Sequence, residues 1–206
     1  MTNKTATHYF EIRLRAILKE AKESGTHSAR VSHLMRVLHA DFRKRGHLAV
    51  SFPGYVVAEN IGDYRRLGDR VRIFGASNRL QEAVAFVKES LEREFVVGEV
   101  LLAPETEKKI AFFRFDVDSR SRAKRPKKIN GILVEREGGF EHRAEQFQAT
   151  QGLPFFSVFS TSTRSSFSNS VGKKTAEKKE IEESANIKIT SYGLSERGAE
   201  AWLPDF

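Results

Sequence analysis

HYFEIRLR, residues 8–15, alternates without a break: Phe10, Ile12 and Leu14 are apolar, and Glu11, Arg13 and Arg15 are charged. A period of two sends the first set to one face and the second to the other, the pattern of a half-buried strand. From Ser28 to Arg45 the period becomes helical, with Val31, Leu34, Met35, Leu38 and Phe42 on one stripe, and Gly46 stops it. Residues 47–52, HLAVSF, read as a short strand closed by Pro53 and Gly54. Residues 69–75, DRVRIFG, alternate again; Ser77 or Asn78 caps a helix running to about Arg93, and Phe95 to Leu102 forms another strand. The order strand-helix-strand-strand-helix-strand is the split βαβ, ferredoxin-like pattern, a platform used by RNA-binding proteins among many others.

The second half is less regular. Residues 111–117 read as a strand, and 119–128, SRSRAKRPKK, hold six basic residues and no acidic one. A polar stretch with Gly138 and Gly139 follows, then the apolar run LPFFSVF from Leu153, which gives way to STSTRSSFSNS. The charged segment Lys173–Ser184 reads as a solvated hairpin tip or insertion, and Ile187–Tyr192 as the final strand. The expected fold class is therefore α+β. A ferredoxin-like βαββαβ domain occupies residues 1–104, and an irregular mixed half with a basic segment occupies 105–206.

With 206 residues, the chain has room for one generous domain or two small ones sharing a core, and excludes a large multidomain enzyme. Sixteen Phe and 39% hydrophobic residues supply a core even though mean hydropathy is negative. Lys and Arg number 35 against 27 Asp and Glu, a net charge of +8 that favours a polyanionic partner. There is no cysteine, which removes disulfides, thiolate catalysis, zinc ribbons and iron–sulfur clusters, and leaves oxygen and imidazole for any chemistry. No apolar run approaches the roughly 20 residues that span a bilayer, and the opening residues carry no apolar leader; the expected address is the cytoplasm.

Two histidines separate by their place on the first helix. At about 100° per residue, His33 falls on the solvated side and His39 on the border of the apolar stripe. A border imidazole is partly desolvated yet reachable, which suits proton transfer near neutral pH; the same position also suits a histidine that merely packs on its neighbours. His8, His27, His47 and His142 show no ligand spacing, so no metal site is expected. Arg120, Arg122, Lys124, Arg125, Lys127 and Lys128 could line a phosphate-tracking surface, interrupted at Pro126, or form a solvated loop. Arg65, Arg66, Arg70 and Arg72 would make a second basic wall. Hydroxyls at Ser160, Thr161, Ser162 and Thr163 end an apolar strand, where they can hold phosphate or a ribose 2′-OH, or satisfy a turn. Tyr192 ends a strand beside Gly193, placed to stack on a base or to pack structurally.

These residues resemble a known family, the subtype I-F CRISPR-associated endoribonucleases, which cut the repeat hairpin of the CRISPR precursor transcript. HYFEIRLR resembles the family's opening strand, and LMRVLH, ending in His39, its catalytic-histidine helix. VSFP at 50–53, RLGDRVRI at 66–73, LPFFSVFSTST and SYGLS follow in matching order. The resemblance implies that His39 is the general base for the 2′-OH and that Ser160 orients that hydroxyl, with Ser162 and Thr163 in the same loop. It implies that Tyr192 packs beside or orients the histidine. It also implies an arginine-rich helix entering the hairpin's major groove, matched here by Arg114 to Lys128. Arg114 is the candidate for reading guanine, and Asp116 falls where an amide side chain reads a base edge. In this chain Pro126 and Gly131 break that helix.

The implied activity is a metal-independent, cofactor-free endoribonuclease that cleaves at the 3′ side of the stem, giving a 2′,3′-cyclic phosphate and a 5′-hydroxyl. The implied partners are the CRISPR repeat hairpin, the mature guide RNA and the other protein subunits of a type I-F effector complex, with no membrane. Competing readings are a non-catalytic RNA-hairpin-binding subunit of a ribonucleoprotein and an unrelated ferredoxin-like RNA-binding module.

Overall fold

A computed structural model of the chain describes residues 7–15, 24–60, 64–91, 93–115, 127–129, 132–134, 139–160, 164–181 and 187–206. The alternating opening segment is β1 (His8–Leu14), with Phe10 and Ile12 fully buried. It is followed by α1 (Ser24–Arg45), β2 (Ala49–Ser51), β3 (Arg70–Gly75), α2 (Ser77–Leu91) and β4 (Phe95–Val97). The strands lie in the order β2-β3-β1-β4, every neighbouring pair antiparallel, which is the ferredoxin-like arrangement read from the sequence. The expected single strand over 95–102 is broken. Gly98 turns its amide back to the Glu11 carbonyl at 2.8 Å, and β5 (Leu101–Leu102) rejoins β1 beyond it.

Helix α1 begins before the expected Ser28. Its stripe of Val31, Leu34, Met35, Leu38 and Phe42 is buried throughout, as an amphipathic helix on a sheet requires. Gly46 ends the helix at φ +103° with its amide on the Phe42 carbonyl, a left-handed cap that favours glycine. Arg79 of α2 pairs with the buried Asp41 and ties the two helices together.

The second half builds another antiparallel sheet. Strands β6 (Lys108–Phe115), β9 (Phe155–Ser160), β10 (Ser165–Glu177) and β11 (Leu203–Pro204) lie in the order β11-β6-β10-β9, while β7 (Lys127–Ile129) and β8 (Ile132–Val134) pair separately. One apolar core joins the two sheets: Phe52, just past β2, meets Phe112 of β6 edge-on at 5.3 Å, and Phe156 and Val158 of β9 pack into the same cluster. The Ser157 amide donates to the Ser32 hydroxyl at 3.0 Å, fixing β9 against α1.

Several expectations for this half need correction. Lys173–Glu177 is not a hairpin tip but the end of β10, each residue paired with β6 from Lys173↔Phe112 to Glu177↔Lys108. Backbone pairing is indifferent to exposed charge, so a strand with a solvated outer face can read as an insertion. Residues 182–184 of that segment lie outside the described residues. The polar stretch at Gly139 forms helix α3 (Gly139–Ala149). Ile187–Tyr192 is not the last strand: only Ile189 bridges, to Ser195, and the chain reverses between them, leaving β11 as the final strand. The two ends of the expected helix from Arg114 to Lys128 are extended, because Arg114 lies in β6 opposite Val171 and Lys127 and Lys128 lie in β7. Its interior, residues 116–126, with Asp116, Arg120, Arg122, Lys124 and Arg125, lies outside the described residues.

The reversal near the C-terminus rests on Gly193, at φ +77°. Its carbonyl accepts from the Val50 amide at 2.9 Å, and a Cβ there would overlap the Val50 side chain and lie 2.8 Å from the Leu48 carbonyl oxygen. Gly193→Ala is expected to lower unfolding free energy by about 2–4 kcal/mol, from the left-handed penalty plus the overlap. Urea unfolding of the two proteins measures the difference.

Candidate active site

His39 projects from the fifth turn of α1 toward the 190–194 reversal and is half-buried. Its Nδ1 lies 3.0 Å from the Ser191 carbonyl oxygen. A carbonyl can only accept, so Nδ1 carries the proton and donates it, and Nε2 keeps its lone pair. The Tyr192 ring stacks on the imidazole with centroids 4.1 Å apart and planes 12° from parallel, and Phe156 supports the tyrosine from behind at 5.5 Å. Tyr192 is 7% exposed, and its hydroxyl meets the buried side chain of Asn169 on β10. His47, in the loop after α1, donates from Nδ1 to the Ile189 carbonyl at 2.7 Å. The reversal is thereby held on the end of α1 from three sides: His39, His47 and Val50.

The electrostatics keep the imidazole neutral. Burial is the largest influence and lowers the His39 pKa from its ordinary 6.5; the Ser191 carbonyl raises it, and the Arg43 charge and the proximity of the His47 ring lower it further. Burial raises the Tyr192 pKa, with Arg114, Arg43 and Asn169 acting in the opposite direction, so the phenol stays protonated at neutral pH. The result is a positioned proton acceptor in a cationic setting. Arg43 lies one turn beyond His39 on the same helix and is exposed.

Of the residues singled out in the sequence, the structure brings His39 and Tyr192 into contact and sets Arg114 within electrostatic reach of Tyr192. Arg114 arrives there on a strand whose amide donates to the Ser195 carbonyl at 3.3 Å. Ser160 is the last residue of β9, paired with Ser165, about 13 Å from Phe156 by strand rise. Ser162 and Thr163 lie outside the described residues. Of the expected second basic wall, Arg65 and Arg66 are exposed but Arg72 is not available. Arg72 is 8% exposed, pairs with Glu11 at 2.9 Å and lies over the Phe206 ring at 4.0 Å, so it holds the sheet together instead of facing solvent. The sequence reading missed Ser191, Asn169, Arg43 and His47. Arg43 alone had a legible signal, its i+4 spacing from His39; the others act through backbone or through tertiary neighbours. Among the described residues, no group of three or more potential ligands gathers to hold a metal, and no helix is long and apolar enough to cross a membrane.

A ferredoxin-like sheet joined to a second antiparallel sheet, with one oriented imidazole at their junction, makes this an α+β protein. The family described as CRISPR-associated protein (Cas_Csy4) matches residues 9–206, and the chain belongs to that family. It is a CRISPR-associated endoribonuclease that binds and processes CRISPR repeat RNA. No curated protein matches it.

The electrostatic setting of His39 leads to a pH prediction. Followed by NMR, the imidazole is expected to titrate with a midpoint below 6.5, and Arg43→Gln is expected to move that midpoint upward by removing a nearby positive charge. Because the folded state resists the proton that the unfolded chain accepts, the His39 contribution to stability is intact above pH 6.5 and lost as pH falls through the lowered midpoint. A midpoint above 6.5 would overturn this assignment.

Proposed function

We propose that this chain binds the CRISPR repeat hairpin and cuts the precursor on the 3′ side of the stem by attack of the substrate's own 2′-OH, without a metal ion or other cofactor. The observation that carries the reading is the hydrogen bond from His39 Nδ1 to the Ser191 carbonyl, which leaves Nε2 as a base while burial keeps it unprotonated. In the reaction Nε2 takes the 2′-OH proton, the 2′-oxygen bonds to the neighbouring phosphorus, and the bond from phosphorus to the 5′-oxygen breaks. The leaving 5′-oxygen takes a proton from water, the imidazolium releases its own to solvent, and the products are a 2′,3′-cyclic phosphate and a 5′-hydroxyl. Holding nucleophile and phosphorus in one chain makes the step unimolecular.

In this reading Tyr192 fixes the plane of the imidazole by stacking, and Ser160 orients the ribose 2′-OH, with Ser162 and Thr163 beside it. Arg43 and Arg114 supply positive charge where negative charge builds on the phosphate. Residues 1–104 contribute the base, and residues 105–206 contribute the tyrosine, the serine loop and the basic segment. Arg120, Arg122, Lys124, Arg125, Lys127 and Lys128 neutralise stem phosphates, and Asp116 lies beside a base edge. The protein stays on the mature guide RNA in the cytoplasm as a subunit of a type I-F effector complex.

His39→Ala is expected to slow cleavage by about 10²- to 10⁴-fold, the usual contribution of a general base, with hairpin affinity nearly unchanged. A hairpin carrying a single 2′-deoxy nucleotide upstream of the scissile phosphate should bind normally and resist cleavage, and cutting of the all-ribose hairpin should persist in EDTA. Cleavage of the deoxy hairpin at the normal rate would rule out 2′-OH attack, and loss of all cutting in EDTA would rule out metal independence. A hairpin bound and never cut would make the protein a non-catalytic cap on the guide RNA.

A further inference from the structure

The face of the β9–β10 pair opposite Tyr192 carries a feature that the hairpin chemistry does not use. Phe156 and Asn169 turn toward the site, so their neighbours Phe155, Ser168 and Ser170 turn away from it. On that side a hollow of about 530 Å³ opens between β9, β10, the end of α3 and the loop before β3. The Arg65 guanidinium lies over the Phe155 ring at 5.1 Å, and Phe147, a large apolar ring, stands 54% exposed at its rim. A second hollow of about 450 Å³ adjoins it through the shared wall of Leu153. There Lys173 lies 6.0 Å over the Tyr55 ring, Phe115 lines the same hollow, and the Arg197 guanidinium lies over the Phe115 ring at 5.2 Å. Among the described residues, no carboxylate lines either hollow.

Aromatic rings interleaved with cations, in a trough without negative charge, are the physical requirements of a single-stranded nucleic-acid platform. Each ring accepts a base face whatever its sequence, and each cation meets a phosphate. The hydroxyls of Ser168 and Ser170 and the amide of Gln151 add donors and acceptors suited to base edges. We propose that this trough binds an unpaired stretch of RNA contiguous with the repeat hairpin, one base in each hollow, with Arg65 and Lys173 on the phosphates. The proposal rests on the hairpin-binding reading for its ligand, since a tail tethered to a bound stem is the polyanion at highest local concentration.

The test uses fluorescence anisotropy with the full chain carrying His39→Ala, so that no probe is consumed. The probes are the repeat hairpin alone, the hairpin with a short unpaired tail on its 5′ side, the hairpin with one on its 3′ side, and each tail as a free single strand. One tail is expected to tighten binding. Phe147→Ala, Arg65→Ala and Lys173→Ala, all at exposed positions, should each remove about 5-fold or more of that gain, while the tailless hairpin stays within about 2-fold, as expected for stacking on an open platform. Equal loss on tailed and tailless hairpins overturns the proposal, since the residues would then serve the stem or the fold. A tail that adds no affinity in the parent also overturns it, and leaves the trough to a protein segment. Binding of the tail without preference for the hairpin would instead refute the hairpin reading and keep the platform.

Discussion

The reversal at Thr190–Leu194 is the element on which the rest of the site depends. Its shape requires a left-handed residue with no side chain, because Gly193 lies against Val50, the Leu48 carbonyl and the Phe42 ring. Once it is seated, one short segment delivers two things to α1: the Ser191 carbonyl that selects the imidazole tautomer, and the Tyr192 ring that fixes its plane. Neither contact carries charge. Both restrict geometry, which is what the proposed cleavage by a single base and a tethered nucleophile needs most.

The same seating explains how a histidine on the border of an amphipathic helix acquires a fixed orientation and a lowered pKa. Half-burial alone would lower its pKa and leave its orientation free. The carbonyl partner opposes the shift but decides which nitrogen holds the proton, while Arg43 and His47 push the pKa back down. These opposing influences leave a lowered imidazole pKa with the Arg43 charge one turn away, an arrangement that suits the proposed deprotonation of a hydroxyl beside a phosphate. The second sheet supports this from behind, with Phe156 under Tyr192 and β9 held to α1 through Ser32.

Much of the first half is legible because its period is unambiguous. HYFEIRLR alternates against one core, the α1 stripe is apolar at helical spacing, and Gly46 supplies a stop with a physical reason, so topology and helix burial follow directly. The second half defeats the same method at definite places. In Lys173–Glu177 the side chains report solvent while the backbone is paired with β6, more than sixty residues away in sequence. In Ile187–Tyr192 a local apolar pattern suggests a strand, but the Gly193 turn, closed on Thr190 and hydrogen-bonded to Val50 of β2, reverses the chain. Arg72 reads as part of a basic surface, although Glu11 and Phe206 enclose it.

By itself the sequence determined the α+β class, the ferredoxin-like order of the first half and the family, and it marked His39 and Tyr192 as candidates. These follow from periodicity, residue chemistry and ordered motifs along the chain. Only the tertiary structure decided that the two rings stack, which imidazole nitrogen is free, which arginines are buried and which face of β9 remains open. Those properties belong to pairs of residues far apart in sequence, and a hydrogen bond from side chain to carbonyl or a desolvation cost exists only after the chain has brought both members together.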